Sequence, residues 1–131
     1  AECIQNYSAV TAAGLLTKRK CFLEVGGFRE ELAVAFNDVD FCLKVRALGK
    51  RVVYTPYALF THYESKSRGL EVKRFNSEIV TLGKSWHMIL RKGDPYYNPA
   101  LTLRKANFAL RDLEREPVGE PFPLGILKGI V

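Results

Sequence analysis

Three short stretches of this sequence combine residue types that can transfer protons, bind metals or hold phosphate. In the first, Asp38 and Asp40 follow Asn37 at the predicted start of a helix. Backbone N–H groups and the helix dipole stabilise an anion at that end, so an ionised carboxylate there can accept a proton from a substrate hydroxyl. The alternative is that both aspartates only cap the helix, which is the commoner role of acids in a first turn.

The second stretch contains one histidine, and the third contains two cations beside a hydroxyl. A neutral imidazole such as His62 can bind a divalent metal, although a metal site needs further ligands. Shortly after it come three residues that suit phosphate oxygens, which are Lys66, Ser67 and Arg68. Separately, the two stretches are also compatible with a packed histidine and a solvated basic loop. Their proximity would let a metal and its diphosphate share one loop.

The residues around these stretches predict the elements that position them. Residues 8–16 are small and apolar, which favours a buried strand. Thr17 is a candidate N-cap for a helix over residues 18–25. Gly26 and Gly27 would end that helix, because glycine adopts the left-handed conformation at little cost.

A second helix is predicted from Asn37 to Gly49, with capping and acidic residues at its start and a glycine at its end. Residues 51–55 then favour a strand, and residues 57–61 a short extended piece. After a polar loop, a long amphipathic helix is predicted, because apolar residues recur at alternate steps of three and four. These apolar residues are Val72, Phe75, Ile79, Leu82, Trp86 and Ile89.

The composition excludes several classes of protein. With 131 residues, 47% of them hydrophobic and 26% charged, the chain is typical of one globular domain. It contains no signal-peptide pattern and no apolar run of about 18 residues. Its three cysteines form no CxxC pair, which favours reduced thiols over disulfides or a zinc site, so we expect a cytoplasmic protein. The net charge of +6 favours anionic partners, whether nucleic acid, anionic lipid or phosphorylated small molecules.

A longer pattern extends over about residues 8–108. It consists, in chain order, of 11–19 (TAAGLLTKR), 25–28 (VGGF), 36–44 (FNDVDFCLK), 53–56 (VYTP), 62–69 (HYESKSRG) and 94–99 (DPYYNP). This order and spacing resemble the second half of family 2 glycosyltransferases, most closely bacterial members associated with O-antigen and other surface polysaccharides. The resemblance implies an inverting enzyme that moves a sugar from a nucleotide-diphosphate donor to a glycan or lipid-linked acceptor.

The resemblance also implies an α/β fold, a partial GT-A domain made of the acceptor-side half with the long amphipathic helix at its C-terminal end. We expect residues 1–110 to belong to that domain and residues 111–131 to form an extended or loosely docked tail. Residues 38–40 spell DxD, but they open a helix, whereas the family's DxD ends a strand further upstream. We therefore expect that the donor-binding half is missing and that this piece is inactive alone.

On the acceptor side, the resemblance assigns a role to each matching residue. Asp38 corresponds to the base that deprotonates the acceptor, although Asn37 stands where the family more often has Glu. Asp40 is the fallback for that role, with a helix-capping charge as its other interpretation. Three residues would lie near the acceptor, which are Gly26, Gly27 and Phe28. The next position holds Arg29, where the family more often has an acidic residue.

On the donor side, the family's metal-binding histidine corresponds to His62, and the metal would be Mn²⁺ or Mg²⁺ in the complete enzyme. Lys66, Ser67 and Arg68 would close on the donor diphosphate. The expected partners are therefore a nucleotide-diphosphate sugar and a glycan acceptor, with peripheral contact to the inner face of the membrane through the rest of the protein. We also expect the piece to form homo-oligomers, because apolar sheet surface would be uncovered.

Two other interpretations remain open at this point. The net charge would suit a nucleic-acid-binding module, but the basic residues are spread out and no known nucleic-acid motif is present, so we expect no nucleic-acid partner. A non-catalytic domain that binds carbohydrate or another protein through a GT-A-derived fold is compatible with every motif above, since a fold does not by itself establish turnover.

Overall fold

The computed structural model describes residues 3–61, 76–105 and 107–116. The chain divides into two compact units, Ala1–Thr81 and Leu82–Val131. The predicted boundary between a domain over 1–110 and a tail over 111–131 stays a prediction, because most of that tail lies outside the described residues.

The first unit contains a two-stranded antiparallel sheet. Strand β1 is Gln5–Tyr7 and strand β2 is Val52–Tyr54. Their register pairs Gln5 with Tyr54, Asn6 with Val53 and Tyr7 with Val52. The strand predicted at 51–55 is confirmed. The strand predicted at 8–16 is wrong, because this segment contains a 3₁₀ turn at Ala12–Gly14 and its polar groups contact a helix instead of another strand.

Helix α1, Arg19–Glu24, ends at two glycines as its sequence predicts. Gly26 and Gly27 have φ angles of 75° and 65°, in the left-handed region. The Gly27 N–H donates to the Phe22 carbonyl at 2.9 Å and the Gly26 N–H to the Leu23 carbonyl at 3.1 Å. These two bonds form a Schellman motif, which satisfies the last carbonyls of the helix. At the other end the N-cap is Lys18, so the prediction of Thr17 is wrong by one residue.

Helix α2, Asn37–Ala47, is the central element of the first unit. Its first turn contains acids and its last turn contains Lys44 and Arg46, so both ends complement the helix dipole. The end at Gly49 is confirmed, since the Gly49 N–H donates to the Arg46 carbonyl at 2.9 Å. The N-cap is Phe36 and not Asn37, and Phe36 itself has a left-handed φ of 62°.

The core of the first unit forms around α2 and β2. Its buried members are Phe41, Cys42, Val45 and Val52. Partly buried apolar residues pack against them, which are Ala9, Val10, Leu15, Cys21, Phe22 and Val25. Because all of these neighbours come from residues 9–25, the core holds that part of the chain, including α1, against one helix.

Helix α3, Asn76–Lys92, confirms the predicted long helix over residues 76–89, while Val72 and Phe75 lie outside the described residues. Its regular backbone is interrupted at Trp86, where φ is −123° and ψ is 15°. In the second unit, an antiparallel bridge joins Leu101 to Leu110. Near it, the Tyr97 hydroxyl donates to the Thr102 carbonyl at 2.9 Å.

Other features of the fold bear on the sequence-based predictions. Cys3, Cys21 and Cys42 are free thiols, as expected. Residues 57–61 form no strand. No described helix is both long enough and apolar enough to cross a bilayer. Large apolar side chains of the first unit remain exposed, among them Leu16, Tyr57, Leu59 and Phe60, and the prediction of homo-oligomers depends on such surface.

Candidate functional site

The segment over residues 8–12 runs antiparallel along one face of α2. The Arg46 guanidinium donates to the Ser8 hydroxyl at 2.7 Å, and the Ala12 N–H donates to the Asp38 carboxylate at 3.1 Å. Between these contacts, the Cys42 thiol donates to the carbonyl of Val10 at 3.8 Å. Two residues of an extended backbone advance about 6.6 Å, and four residues of a helix advance about 6 Å. Successive contacts are therefore spaced by similar distances along this segment and along α2.

The Asp38 carboxylate is the polar end of this face. Its Oδ2 accepts the Ala12 N–H at 3.1 Å, and its Oδ1 accepts the N–H of Val39 at 2.8 Å. The side chain is only partly buried. A carboxylate has about four lone-pair positions, so two hydrogen bonds leave room for a proton from a third group. The arrangement therefore holds the carboxylate in place and leaves it able to accept a proton.

The Cys42 thiol lies on the same helical face as Asp38. Burial raises its pKa most, a backbone hydrogen bond with Val10 opposes that rise, and the negative charge of Asp38 adds to it. A thiol held in its neutral form is a poor nucleophile and a poor metal ligand. Cys42 therefore packs in the core of the unit.

Asp40 has the opposite environment, although it lies only two positions further along α2. Two residues rotate a helix by about 200°, so the two carboxylates leave the helix in nearly opposite directions. Asp40 is 0% exposed, and it pairs with Arg29 at 3.2 Å and with Lys44 at 2.7 Å. Burial and ion pairing give Asp40 a structural role and leave a substrate hydroxyl no access to it, so the fallback assignment of Asp40 as a base is wrong.

The glycine turn is fastened to the Asp40 face of α2. The Lys44 ammonium group, which pairs with Asp40, also donates to the Gly27 carbonyl at 3.3 Å. Phe28 packs against Phe22 and Phe41, with ring centroids 5.4 Å apart in each pair. Its side chain is still 42% exposed. The turn thus presents part of an aromatic ring to solvent from a fixed backbone.

Glu78 of α3 is a polar residue of this unit that the sequence interpretation did not single out. Its Oε1 accepts the Val34 N–H at 3.3 Å and its Oε2 accepts the Ala35 N–H at 2.6 Å. The residue is only 7% exposed. A signal was present, because position 78 lies four residues before Leu82, on the apolar face of the helix. An acid on such a face needs polar partners when it is buried.

The structure brings some predicted residues together and leaves others undescribed. Its contacts join Gly27 and Arg29 to Asp40 and Lys44, while Asp38 contacts the segment over residues 8–12. The predicted donor-side residues, which are His62, Lys66, Ser67 and Arg68, lie outside the described residues. Among the residues that are described, no group of three or more His, Cys, Asp or Glu side chains is arranged to hold a metal ion.

Similarity to known proteins is confined to segments of much longer chains. The chain is 49% identical over 114 residues to the uncharacterized protein y4gI of Sinorhizobium fredii, a match that covers 81% of this chain and 12% of that protein. It is 36% identical over 110 residues to the O-antigen biosynthesis protein RfbC of Myxococcus xanthus, covering 84% of this chain and 9% of RfbC. The chain therefore spans about a tenth of the length of these curated relatives. No known protein family and no solved structure matches it.

Proposed function

We propose that this chain takes part in polysaccharide biosynthesis, as the acceptor-side part of a family 2 glycosyltransferase with a GT-A fold. The observation that carries the proposal is the contrast between two neighbouring carboxylates: Asp38 is fixed by two N–H groups yet partly exposed, while Asp40 is buried between two cations. The similarity to a segment of an O-antigen biosynthesis protein supports the class of pathway.

In the proposed reaction, Asp38 is the general base. The N–H groups of Ala12 and Val39 point at its carboxylate and stabilise negative charge there. As the acceptor oxygen bonds to the anomeric carbon of the donor sugar, its proton moves to the Asp38 carboxylate. The bond between the anomeric carbon and the donor diphosphate breaks, and its electron pair leaves with the nucleoside diphosphate.

The exposed part of Phe28 and the turn formed with Gly26 and Gly27 are the proposed acceptor surface. The ion pairs of Asp40 and the hydrogen bond from Lys44 hold this turn against α2, on a different face of the helix from Asp38. The acceptor role of the turn is therefore supported by the family resemblance and by the exposed ring of Phe28.

The donor side of the proposal rests on the family resemblance alone. His62 would hold a Mn²⁺ or Mg²⁺ ion, and Lys66, Ser67 and Arg68 would bind the diphosphate. Such an ion neutralises charge on the departing diphosphate when it is bound. The described residues contain no ligand set for it, so no step above depends on the metal.

The test is Asp38→Asn in the full natural polypeptide that carries this sequence. Asparagine keeps the shape and an acceptor oxygen for Ala12 but cannot take the proton. We expect turnover to fall by about 10²–10⁴, measured as release of nucleoside diphosphate from UDP-, GDP- and TDP-sugars with glycolipids extracted from the same cells. Asp112→Asn is the matched control, because that side chain is 55% exposed. Turnover of Asp38→Asn within a few-fold of wild type would show that the assignment is wrong.

A further inference from the structure

The Glu78 carboxylate holds the turn from which α2 begins through two hydrogen bonds, with Val34 and Ala35, which together are called the Glu78 clamp. Its two oxygens accept the N–H groups of Val34 and Ala35, which are consecutive residues more than forty positions earlier in the chain. With 7% of its surface exposed, Glu78 has little access to water. A buried carboxylate is tolerated when it is hydrogen-bonded in this way, so the contact fixes the first turn of α3 to the turn before α2, both within the first unit.

The turn that Glu78 holds contains a strained residue. Phe36, the residue after Ala35, has a φ of 62°, which a side chain with a Cβ rarely adopts. Conformations of this kind persist when the surrounding structure holds them from both sides. Before Phe36, Glu78 holds the two amides, and after it the Asp40 N–H donates to the Phe36 carbonyl at 2.9 Å as the first hydrogen bond of the helix.

The conformation of Phe36 sets where α2 starts and how its first turn is rotated. Asp38 lies in that first turn, and its carboxylate reaches the Ala12 N–H from there. A change in the turn would rotate Asp38 away from Ala12, whereas the later turns of α2 are held by the core around Phe41 and Val45. Asp38 is therefore more sensitive to the clamp than the rest of the helix is.

We propose that Glu78 is a positioning residue for Asp38: it acts through the Val34–Phe36 turn and does not itself touch substrate. The inference rests on the proposed role of Asp38 as the base. It also assigns a function to a charged residue on an otherwise apolar face of α3, where a packing role alone would favour an apolar side chain.

The experiment compares Glu78→Gln, Glu78→Asp and Asp38→Asn in the full natural polypeptide. Glutamine presents one acceptor and one N–H₂ group to two N–H donors, so one hydrogen bond is lost. The shorter aspartate keeps the charge and reaches less far. The control is Glu24→Gln, because Glu24 pairs with Lys50 at the surface and is 43% exposed. Each variant is assayed at a temperature at which circular dichroism shows it folded.

Two measurements separate positioning from general stability. For Glu78→Gln we expect kcat to fall about tenfold to a hundredfold with KM unchanged, and for Glu78→Asp a smaller fall. We also expect faster hydrogen exchange at the amides of Ala35 and Asp40 in Glu78→Gln, but unchanged exchange at Val45, since the core holds the later turns. Glu24→Gln should match wild type in both measurements.

The outcomes distinguish this inference from the proposed function. If Asp38→Asn abolishes turnover while Glu78→Gln keeps the wild-type kcat, the role of Glu78 is wrong and that of Asp38 stands. If Asp38→Asn keeps its turnover, the proposed function fails, and with it the catalytic meaning of the clamp. Unchanged exchange at Ala35 and Asp40 in both Glu78 variants would overturn the clamp itself, independently of any activity.

Discussion

Asp38 and Asp40 lie two positions apart at the start of α2, and the structure gives their carboxylates opposite environments. Asp38 accepts two backbone N–H groups and stays partly exposed. Asp40 is fully buried between Arg29 and Lys44. One helix thus carries a chemically available carboxylate on one face and a structural carboxylate on another. This division also accounts for Arg29, because a cation at that position supplies a partner for the buried Asp40.

The first prediction concerns the ion pairs of Asp40. In Asp40→Asn the negative charge that pairs with Arg29 and Lys44 is lost. Breaking a buried pair costs about 3–5 kcal/mol, and we expect about 3 kcal/mol because Arg29 and Lys44 are 26% and 21% exposed and can be partly solvated. The measurement is the free energy of unfolding in urea, compared with wild type.

The control for this prediction is the surface pair of Lys50 and Glu24, whose side chains are 41% and 43% exposed. Exposed pairs contribute about 0–1 kcal/mol, so Glu24→Gln should change the free energy of unfolding by less than about 1 kcal/mol. If Asp40→Asn and Glu24→Gln lowered the free energy of unfolding equally, the burial of Asp40 would add nothing to the stabilisation by its ion pairs.

The second prediction separates two adjacent glycines that have the same backbone requirement but different neighbours. Both have positive φ, so alanine at either position costs about 1–2 kcal/mol. A Cβ at Gly26 would have no atom within 4 Å, whereas a Cβ at Gly27 would lie 2.9 Å from Cε1 of Phe22. Because overpacking adds about 1–3 kcal/mol, we expect Gly27→Ala to lose about 3 kcal/mol and Gly26→Ala about 1 kcal/mol.

Urea unfolding of the two alanine variants measures this difference directly, with each glycine serving as the control for the other. The Phe22 ring is only partly buried, so its displacement is the process that would relieve the clash. A Gly27→Ala variant as stable as Gly26→Ala would show that the ring moves aside without cost. The packing of Phe28 on Phe22 would then not depend on the glycine.

The sequence predicted α2 and the ends of α1 and α2 because those signals are local. Capping residues, charges in the first and last turns, and left-handed glycines act within a few residues of where they stand. The N-cap was misplaced by one residue in both helices: Lys18 and Phe36 occupy the cap positions, where the sequence favoured Thr17 and Asn37. Phe36 in a left-handed conformation has no local signal, since the preceding residue, Ala35, is held by Glu78 from far along the chain.

The segment over residues 8–16 and Glu78 show where local signals are insufficient. A small apolar run favours a strand, but these residues lie against α2, with Arg46, Cys42 and Asp38 as partners from one helical face. Such a pairing depends on which elements meet in three dimensions. The partners of Glu78 are likewise more than forty residues away along the chain. The acceptor and donor assignments depend on the family resemblance and stay predictions.

The third prediction concerns Glu116 of the second unit, a carboxylate that is 6% exposed. Its Oε2 accepts the Thr102 hydroxyl at 2.6 Å and its Oε1 accepts the Leu103 N–H at 2.7 Å. The hydrogen bond from Thr102 lowers the pKa of Glu116 most, the bond from Leu103 and the charges of Arg111 and Arg104 lower it further, and burial opposes them. The folded state therefore favours the ionised form.

The sign of the pH dependence follows from this lowered pKa. Unfolded glutamate has a pKa of about 4.3, so the ionised carboxylate stabilises the fold fully above that pH. The stabilisation is lost as the pH falls through the lower pKa of the folded state, because the folded protein must then bind a proton it had excluded. We expect the gap in stability between wild type and Glu116→Gln to be constant from about pH 7 to pH 5 and to shrink steadily below about pH 4.

The measurement is urea unfolding at several pH values, followed through the backbone amide signals of Thr102 and Leu103 because these residues report on the second unit. Glu114→Gln is the control, because Glu114 is exposed and its substitution changes the net charge by the same amount. Its stability should track that of wild type at every pH. A gap for Glu116→Gln that persists unchanged to pH 3 would mean that the hydrogen bonds of Thr102 and Leu103 do not favour the charged carboxylate, because their effect would then be the same for its protonated form.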